Sequence, residues 1–182
     1  RFPAKKDDLH IFDIDSVVCK EAAACIRENA PDLSWVYLWY TDSGFHIYGD
    51  GAFMDRYVNK TDDLVGMIWE AVQYREKKFD EEWMVIVTTD HGRGESGHHH
   101  GGQLARALNA QFTRPTLALV DILPTICRFM DFQTPRDVAF EKDGTSFYGP
   151  TDIYELTTHP YDNQVTLCWK GEGAKDEAVV YM

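Results

Sequence analysis

Two short segments hold the side chains best suited to chemistry. Asp42-Ser-Gly-Phe-His46 closes one apolar run, and Asp90-His91-Gly92 closes another, with His98, His99 and His100 just beyond. Carboxylates and imidazoles at strand ends, followed by glycine-containing turns, are the donor set of a metal site on an α/β sheet. Carboxylate oxygen combined with imidazole nitrogen suits Zn²⁺ better than Ca²⁺ or Mg²⁺, which prefer all-oxygen sites. Asp42 and His46 stand four residues apart, and the adjacent Asp90 and His91 can both reach one ion from a turn. Of three consecutive histidines, at most one or two can point inward. A lone Asp or His at a strand end is ordinarily a cap or a solvated loop residue. The weight therefore rests on the combination of two carboxylates and at least three imidazoles expected at one sheet edge.

Hydrophobic periodicity supplies the elements that would position these groups. Leu9-His-Ile-Phe12 is expected as a short strand. Residues 16–29 have helical spacing at Val18, Ala22, Cys25 and Ile26, with Asp15 as the expected N-cap. Pro31-Asp32 ends that helix. Residues 33–40 are almost continuously apolar, as in a parallel strand buried on both faces, and Asp42 falls just past its end. Between Ala52 and Lys78, the stripe Leu64, Val65, Ile68, Trp69 and Val72 predicts a second helix. Residues 83–88 read as another buried strand, ending at Asp90. Strand, helix and strand in alternation argue for a right-handed βαβ unit. In open α/β sheets, sites lie at the carboxyl ends of strands. Further on, residues 120–130 predict a short helix starting near Asp121, because Pro124 is tolerable only in a first turn. Asp143-Gly144 marks a turn. From Pro150 the character is β-rich, with strands expected at 165–169 and 178–181 and a Gly/Lys turn between them. The expected fold class is α/β: a mainly parallel sheet with helices on both faces, followed by the start of a β-rich domain. The expected boundaries are 1–149 for the first part and 150–182 for the second.

The net charge of −12 argues against a duplex reader, which should be basic. An anionic substrate is still compatible with it, because bound cations invert the local field. No apolar run approaches the ~20 residues that span a bilayer. Arg1-Phe2-Pro3 shows neither a start Met nor a signal-peptide pattern, so the chain is expected to be a piece of a longer protein. Cys19, Cys25, Cys127 and Cys168 have no CxxC spacing, and Cys19 and Cys25 are expected to be buried as small apolar residues.

These motifs resemble the alkaline phosphatase superfamily, and within it the type I nucleotide pyrophosphatase/phosphodiesterase branch. The resemblance spans roughly residues 15–148. It is carried by Pro31-Asp-Leu, Asp42-Ser-x-x-His46-x-Tyr48-Gly49, Asp62-x-x-x-Gly66, Thr88-Thr-Asp-His-Gly-Arg-Gly94, His100-Gly-Gly, and Asp121-Ile-Leu-Pro-Thr125 with Asp143-Gly-x-Ser146. The resemblance implies two zinc ions. Asp42, His46 and His100 would hold one, and Asp90 and His91 would form part of the other site. His100 is preferred to His98 and His99 because it directly precedes Gly101. The chain departs from the family pattern at Phe45, where the family usually has Gly before the first His, and in a short segment after His100-Gly-Gly.

The resemblance also implies hydrolysis of phosphodiester or pyrophosphate bonds through a covalent phosphoryl-enzyme. The Thr or Ser nucleophile and the remaining second-site ligand would lie upstream of this chain. Residues 1–182 alone are therefore expected to be inactive but able to bind zinc. The substrate would be a small anionic phosphate ester, the partner the upstream part of the same protein, and the location extracytoplasmic. Three rival readings exist. A sulfatase or phosphomonoesterase of the same superfamily is one, and a non-catalytic metal- or glycan-binding module is another. The third is a haloacid-dehalogenase-type phosphatase using Asp13 and Asp15, which lacks both the required spacing and the Thr after the paired Asp.

Overall fold

Helix α1 (Leu9–Asn29) carries Ile11, Asp15, Cys19, Ala23 and Ile26 on one face, and all five are buried. Steps of three and four residues keep side chains on one side of a helix. The expected strand at Leu9–Phe12 is therefore the first turn of this helix. A four-residue apolar run does not distinguish strand from helix, and here Ile11 extends the stripe. Ala30, left-handed at φ 47°, follows the helix end. The computed structural model describes residues 9–49, 51–94, 97–99, 106–107, 118–149 and 153–171. The chain divides into two units, Arg1–Trp83 and Met84–Met182.

In the first unit, α1 is followed by α2 (Tyr40–Tyr48) and α3 (Ala52–Phe79). Helix α3 matches its expected span and buries Leu64 and Val72 of the expected stripe, together with Met54, Tyr57, Ala71 and Arg75. It runs parallel to α1. Lys60 Nζ lies 4.5 Å from the Phe12 ring centre near the helix starts, and Arg27 lies 4.8 Å from the Tyr74 ring near the ends. Arg75 Nη1 donates to the Arg27 carbonyl at 3.1 Å, and its other nitrogens donate to both oxygens of Glu81. These Arg75 hydrogen bonds, joined by one from Trp83 Nε1, hold the Glu81 carboxyl below its usual range. Cys19 is buried as expected, and burial followed by the nearby Asp15 charge pushes its thiol up to about 11. Cys25 is exposed, because its position falls off the buried stripe.

Asp15 does not cap the helix that contains it. It lies in the second turn of α1, and its Oδ2 accepts the backbone N–H groups of Trp39 at 2.9 Å and Tyr40 at 2.8 Å. These are orphan donors at the start of α2, so a side chain some 25 residues away in sequence supplies the cap. Burial raises the Asp15 carboxyl above its usual range, and the two backbone hydrogen bonds act in the opposite sense. Asp15→Ala should lower the unfolding free energy by about 1–3 kcal/mol, because two buried donors lose their acceptor. Asp15→Asn keeps an acceptor oxygen without the charge and should retain most of the stability. Urea unfolding followed by circular dichroism checks both, and wild-type stability in the alanine variant would show that the cap is dispensable.

All pairings among the described residues are antiparallel and form three two-stranded sheets. Strand β1 (Ile86–Val87) pairs with β4 (Arg106–Ala107), β2 (Gly92–Gly94) with β3 (Gly97–His99), and β5 (Ile153–Tyr161) with β6 (Gln164–Gly171). A 3₁₀ turn at Leu119–Asp121 leads into α4 (Ile122–Phe129), close to the expected start near Asp121, and α5 (Arg136–Phe140) follows. The protein is thus a mixed helix and strand fold. Residues 33–39 belong to no strand among those described. The burial on both faces expected for this run is not found: Leu33, Ser34, Trp35, Tyr37 and Trp39 are exposed, while Val36 and Leu38 are half-buried. A strand exists through its neighbour's hydrogen bonds, and a local pattern does not supply them. Of the expected strand at 83–88, only Ile86–Val87 is paired. Among the described residues, no helix is long and apolar enough to cross a membrane.

Candidate metal centre

Asp42 and His46 lie on α2, not in the loop turn that the glycine suggests. The reason is tertiary. Tyr40 and Gly44, also four residues apart, are the buried pair of this helix. The Tyr40 ring stacks on Tyr57 with centres 4.5 Å apart, and a Cβ on Gly44 would come within 2.5 Å of the Tyr57 ring. Glycine stands at 44 because α3 brings an aromatic ring there. Two residues along a helix turn the chain by about 200°. Burying Tyr40 and Gly44 therefore drives Asp42 and His46 to the outer face.

On that face His46 Nε2 lies 3.4 Å from Asp42 Oδ1, with the side chains 46% and 27% exposed. Metal–donor bonds of 2.0–2.1 Å in a tetrahedral zinc site put adjacent donors about 3.3 Å apart. The Asp42–His46 pair has the donor chemistry and the spacing of one edge of such a site. Two ligands at i and i+4 on one helix face is also the arrangement of zinc-binding helices. Trp39 Nε1 donates to Asp42 Oδ2 at 2.9 Å, a contact that the sequence motifs do not announce. A tryptophan three residues before the acid was its only available signal.

In the second unit, Asp90 and His91 follow β1 and lead into the hairpin β2–β3. His91 Nε2 lies 3.8 Å from Asp90 Oδ1, somewhat wider than the tetrahedral edge, and Asp90 is 64% exposed. His98 and His99 lie in β3, where His99 is registered opposite Gly92 and His98 opposite Arg93. His100, the third ligand expected with Asp42 and His46, lies outside the described residues. Among the described residues no group of three His, Cys, Asp or Glu side chains gathers as a metal-holding cluster. The structure shows the two Asp–His pairs, each within its own unit.

The motif residues Asp121 and Thr125 have a structural task. The buried Asp121 carboxylate accepts the N–H of Ala118 at 2.9 Å and of Thr145 at 2.8 Å. Thr125 Oγ1 donates to the Asp121 carbonyl at 2.6 Å and accepts the N–H of Phe147 at 3.1 Å. The start of α4 is thereby clasped to the segment after Asp143, and Phe147 is fully buried.

The two Asp–His pairs, each partly exposed in its own unit, have the donor chemistry for divalent cations. The sequence model of the type I phosphodiesterase / nucleotide pyrophosphatase family matches residues 5–142, and the chain belongs to that family. The family comprises phosphodiesterase- and pyrophosphatase-type hydrolases and is generally metal-dependent. Comparison with curated proteins and with solved structures gave no match.

Proposed function

We propose that this chain is the metal-binding part of a two-zinc hydrolase of phosphodiester or pyrophosphate bonds. The observation that carries the reading is the Asp42–His46 pair, whose 3.4 Å donor separation fits zinc. Membership of the family supports the reaction class. Asp42, His46 and His100 hold one ion, and Asp90 and His91 contribute to the second. Bound zinc supplies Lewis-acid neutralisation of the phosphoryl oxygens, which lets a chain of net charge −12 accept an anionic substrate. The nucleophile of this reading is a Thr or Ser upstream in the same protein, whose oxygen would lose its proton and bond to phosphorus as the P–O bond to the leaving alcohol or phosphate breaks. Residues 1–149 belong to the catalytic domain, and the apolar run 33–40 joins its mainly parallel sheet. Residues 150–182 open a β-rich domain, supported by the β5–β6 hairpin. The location is extracytoplasmic.

Metal analysis and turnover by the complete protein test the reading. Two zinc ions per chain are expected, with hydrolysis of a chromogenic phosphodiester lost on chelation and restored by Zn²⁺. Turnover untouched by chelation would overturn the metal role. Preference for a monoester or a sulfate ester would replace the reading with a phosphomonoesterase or sulfatase, and bound zinc without any turnover would leave a binding module.

A further inference from the structure

Position 39 is the N-cap of α2, a place that favours Ser, Thr, Asp or Asn. Here it holds a tryptophan, and no side-chain cap comes from residue 39 itself. Asp15 accepts the N–H groups of Trp39 and Tyr40 instead. Capping has thus been moved onto α1, which leaves position 39 available for another task. Trp39 is 49% exposed, so core packing does not account for its size. Its indole N–H points along the helix and donates to Asp42 Oδ2 at 2.9 Å. The other oxygen of the same carboxylate, Oδ1, faces His46 Nε2. A carboxylate can rotate to present either oxygen or both, so an N–H fixed on one oxygen selects the other for a ligand.

We infer that Trp39 is a positioning residue for the metal-binding pair: its indole N–H fixes Asp42 Oδ2 so that Oδ1 is presented with His46 Nε2 to one ion, and Asp15 anchors the backbone from which the indole projects. The inference rests on the zinc reading of Asp42 and His46. Hydrogen-bond partners that orient metal-ligating side chains are typically worth about 10–100-fold in metal affinity. The indole N–H belongs in that class, because it contacts a ligand carboxylate and has no other role that its burial would explain.

The experiment titrates the complete protein with Zn²⁺ alone against a chromophoric chelator and compares three variants. Asp42→Ala identifies the site by removing its binding. Trp39→Phe keeps an aromatic ring and deletes the N–H. It should weaken zinc at that same site by about 10–100-fold, with the thermal midpoint and far-ultraviolet spectrum unchanged. The visible spectrum of Co²⁺ bound in place of zinc should also shift, since ligand geometry sets it and a merely structural contact would leave it alone. Asp15→Asn, which preserves an acceptor for α2, should stay near wild type. If Asp42→Ala removes binding while Trp39→Phe matches wild type in affinity and in the cobalt spectrum, the positioning role is overturned and the zinc site stands. If Asp42→Ala leaves binding intact, the zinc reading of this pair fails and the inference falls with it. Should Trp39→Phe prove unstable, the cobalt spectrum of its folded fraction at low temperature still decides, and a wild-type spectrum there rejects the role.

Discussion

Asp90→Ala is expected to abolish phosphodiester hydrolysis by the complete protein while leaving the fold intact. Asp90 lies in a bend past β1, with its side chain 64% exposed. Substitutions at exposed positions away from packing and caps usually stay within about 0.5 kcal/mol. The chemical role proposed for it, as a zinc ligand, is of a different size. A metal that neutralises phosphoryl oxygens contributes several kcal/mol to the transition state, and roughly 4 kcal/mol corresponds to about a thousandfold in rate. If Asp90 and His91 hold zinc as proposed, loss of the carboxylate should forfeit most of that. The measurement is turnover of a chromogenic phosphodiester at saturating zinc, beside a thermal melt of the same sample. Near-wild-type turnover would remove Asp90 from the catalytic centre. A collapsed melt would show that its carboxylate serves the fold.

The helical spacing of Asp42 and His46 was legible, but the helix itself was not. Asp42-Ser-Gly-Phe-His46 contains a glycine, and glycine after an apolar run ordinarily marks a turn. The ring of Tyr57 against Gly44 reverses that reading, and Tyr57 lies on another element. The same limit hid Asp15. Nothing local distinguishes a buried carboxylate that caps a distant helix from an N-cap at its own position. Long α3 was legible because its stripe repeats over many turns, and the start of α4 because Pro124 permits few alternatives. In the β-rich tail, Asp162 and Asn163 adopt φ 46° and 59° and join paired Tyr161 and Gln164, the two-residue hairpin turn that Asp and Asn tolerate. That signal was present in the sequence. The expected pairing of 165–169 with 178–181 passed over it, and residues 178–181 lie outside those described. The apolar run at 33–39 and the unpaired part of 83–88 show the remaining gap. An apolar run marks a candidate strand, but its hydrogen-bonding partners come from elsewhere in the fold.

Gly144→Ala is expected to cost more stability than loss of the Thr125 hydroxyl from the clasp around α4. A Cβ at 144 would lie 1.9 Å from the Val120 carbonyl oxygen, 2.3 Å from its carbon and 2.7 Å from the Asp121 nitrogen. All three are backbone atoms of the 3₁₀ turn, so no rotamer change relieves the overlap. The segment must retreat, and two contacts go with it: Thr145 N–H to Asp121 Oδ1 and Phe147 N–H to Thr125 Oγ1. Fully buried Phe147 would be drawn out of its packing as well. Overpacking alone costs about 1–3 kcal/mol, and each hydrogen bond about 1 kcal/mol more. Together they make roughly 4 kcal/mol, a large share of the 5–15 kcal/mol that holds a typical domain folded. In a chain of this length that is a fall of about 10 °C in the melting midpoint. Thr125→Val separates the parts. It is close in shape and removes only the hydroxyl, so it leaves the Phe147 N–H unsatisfied at a cost of about 1–3 kcal/mol without any overlap. Calorimetry on both variants should therefore rank Gly144→Ala below Thr125→Val, and Thr125→Val below wild type. A Gly144→Ala midpoint within 2 °C of wild type, about half a kcal/mol at this size, would mean that the 3₁₀ turn and the segment after Asp143 are not in contact as described.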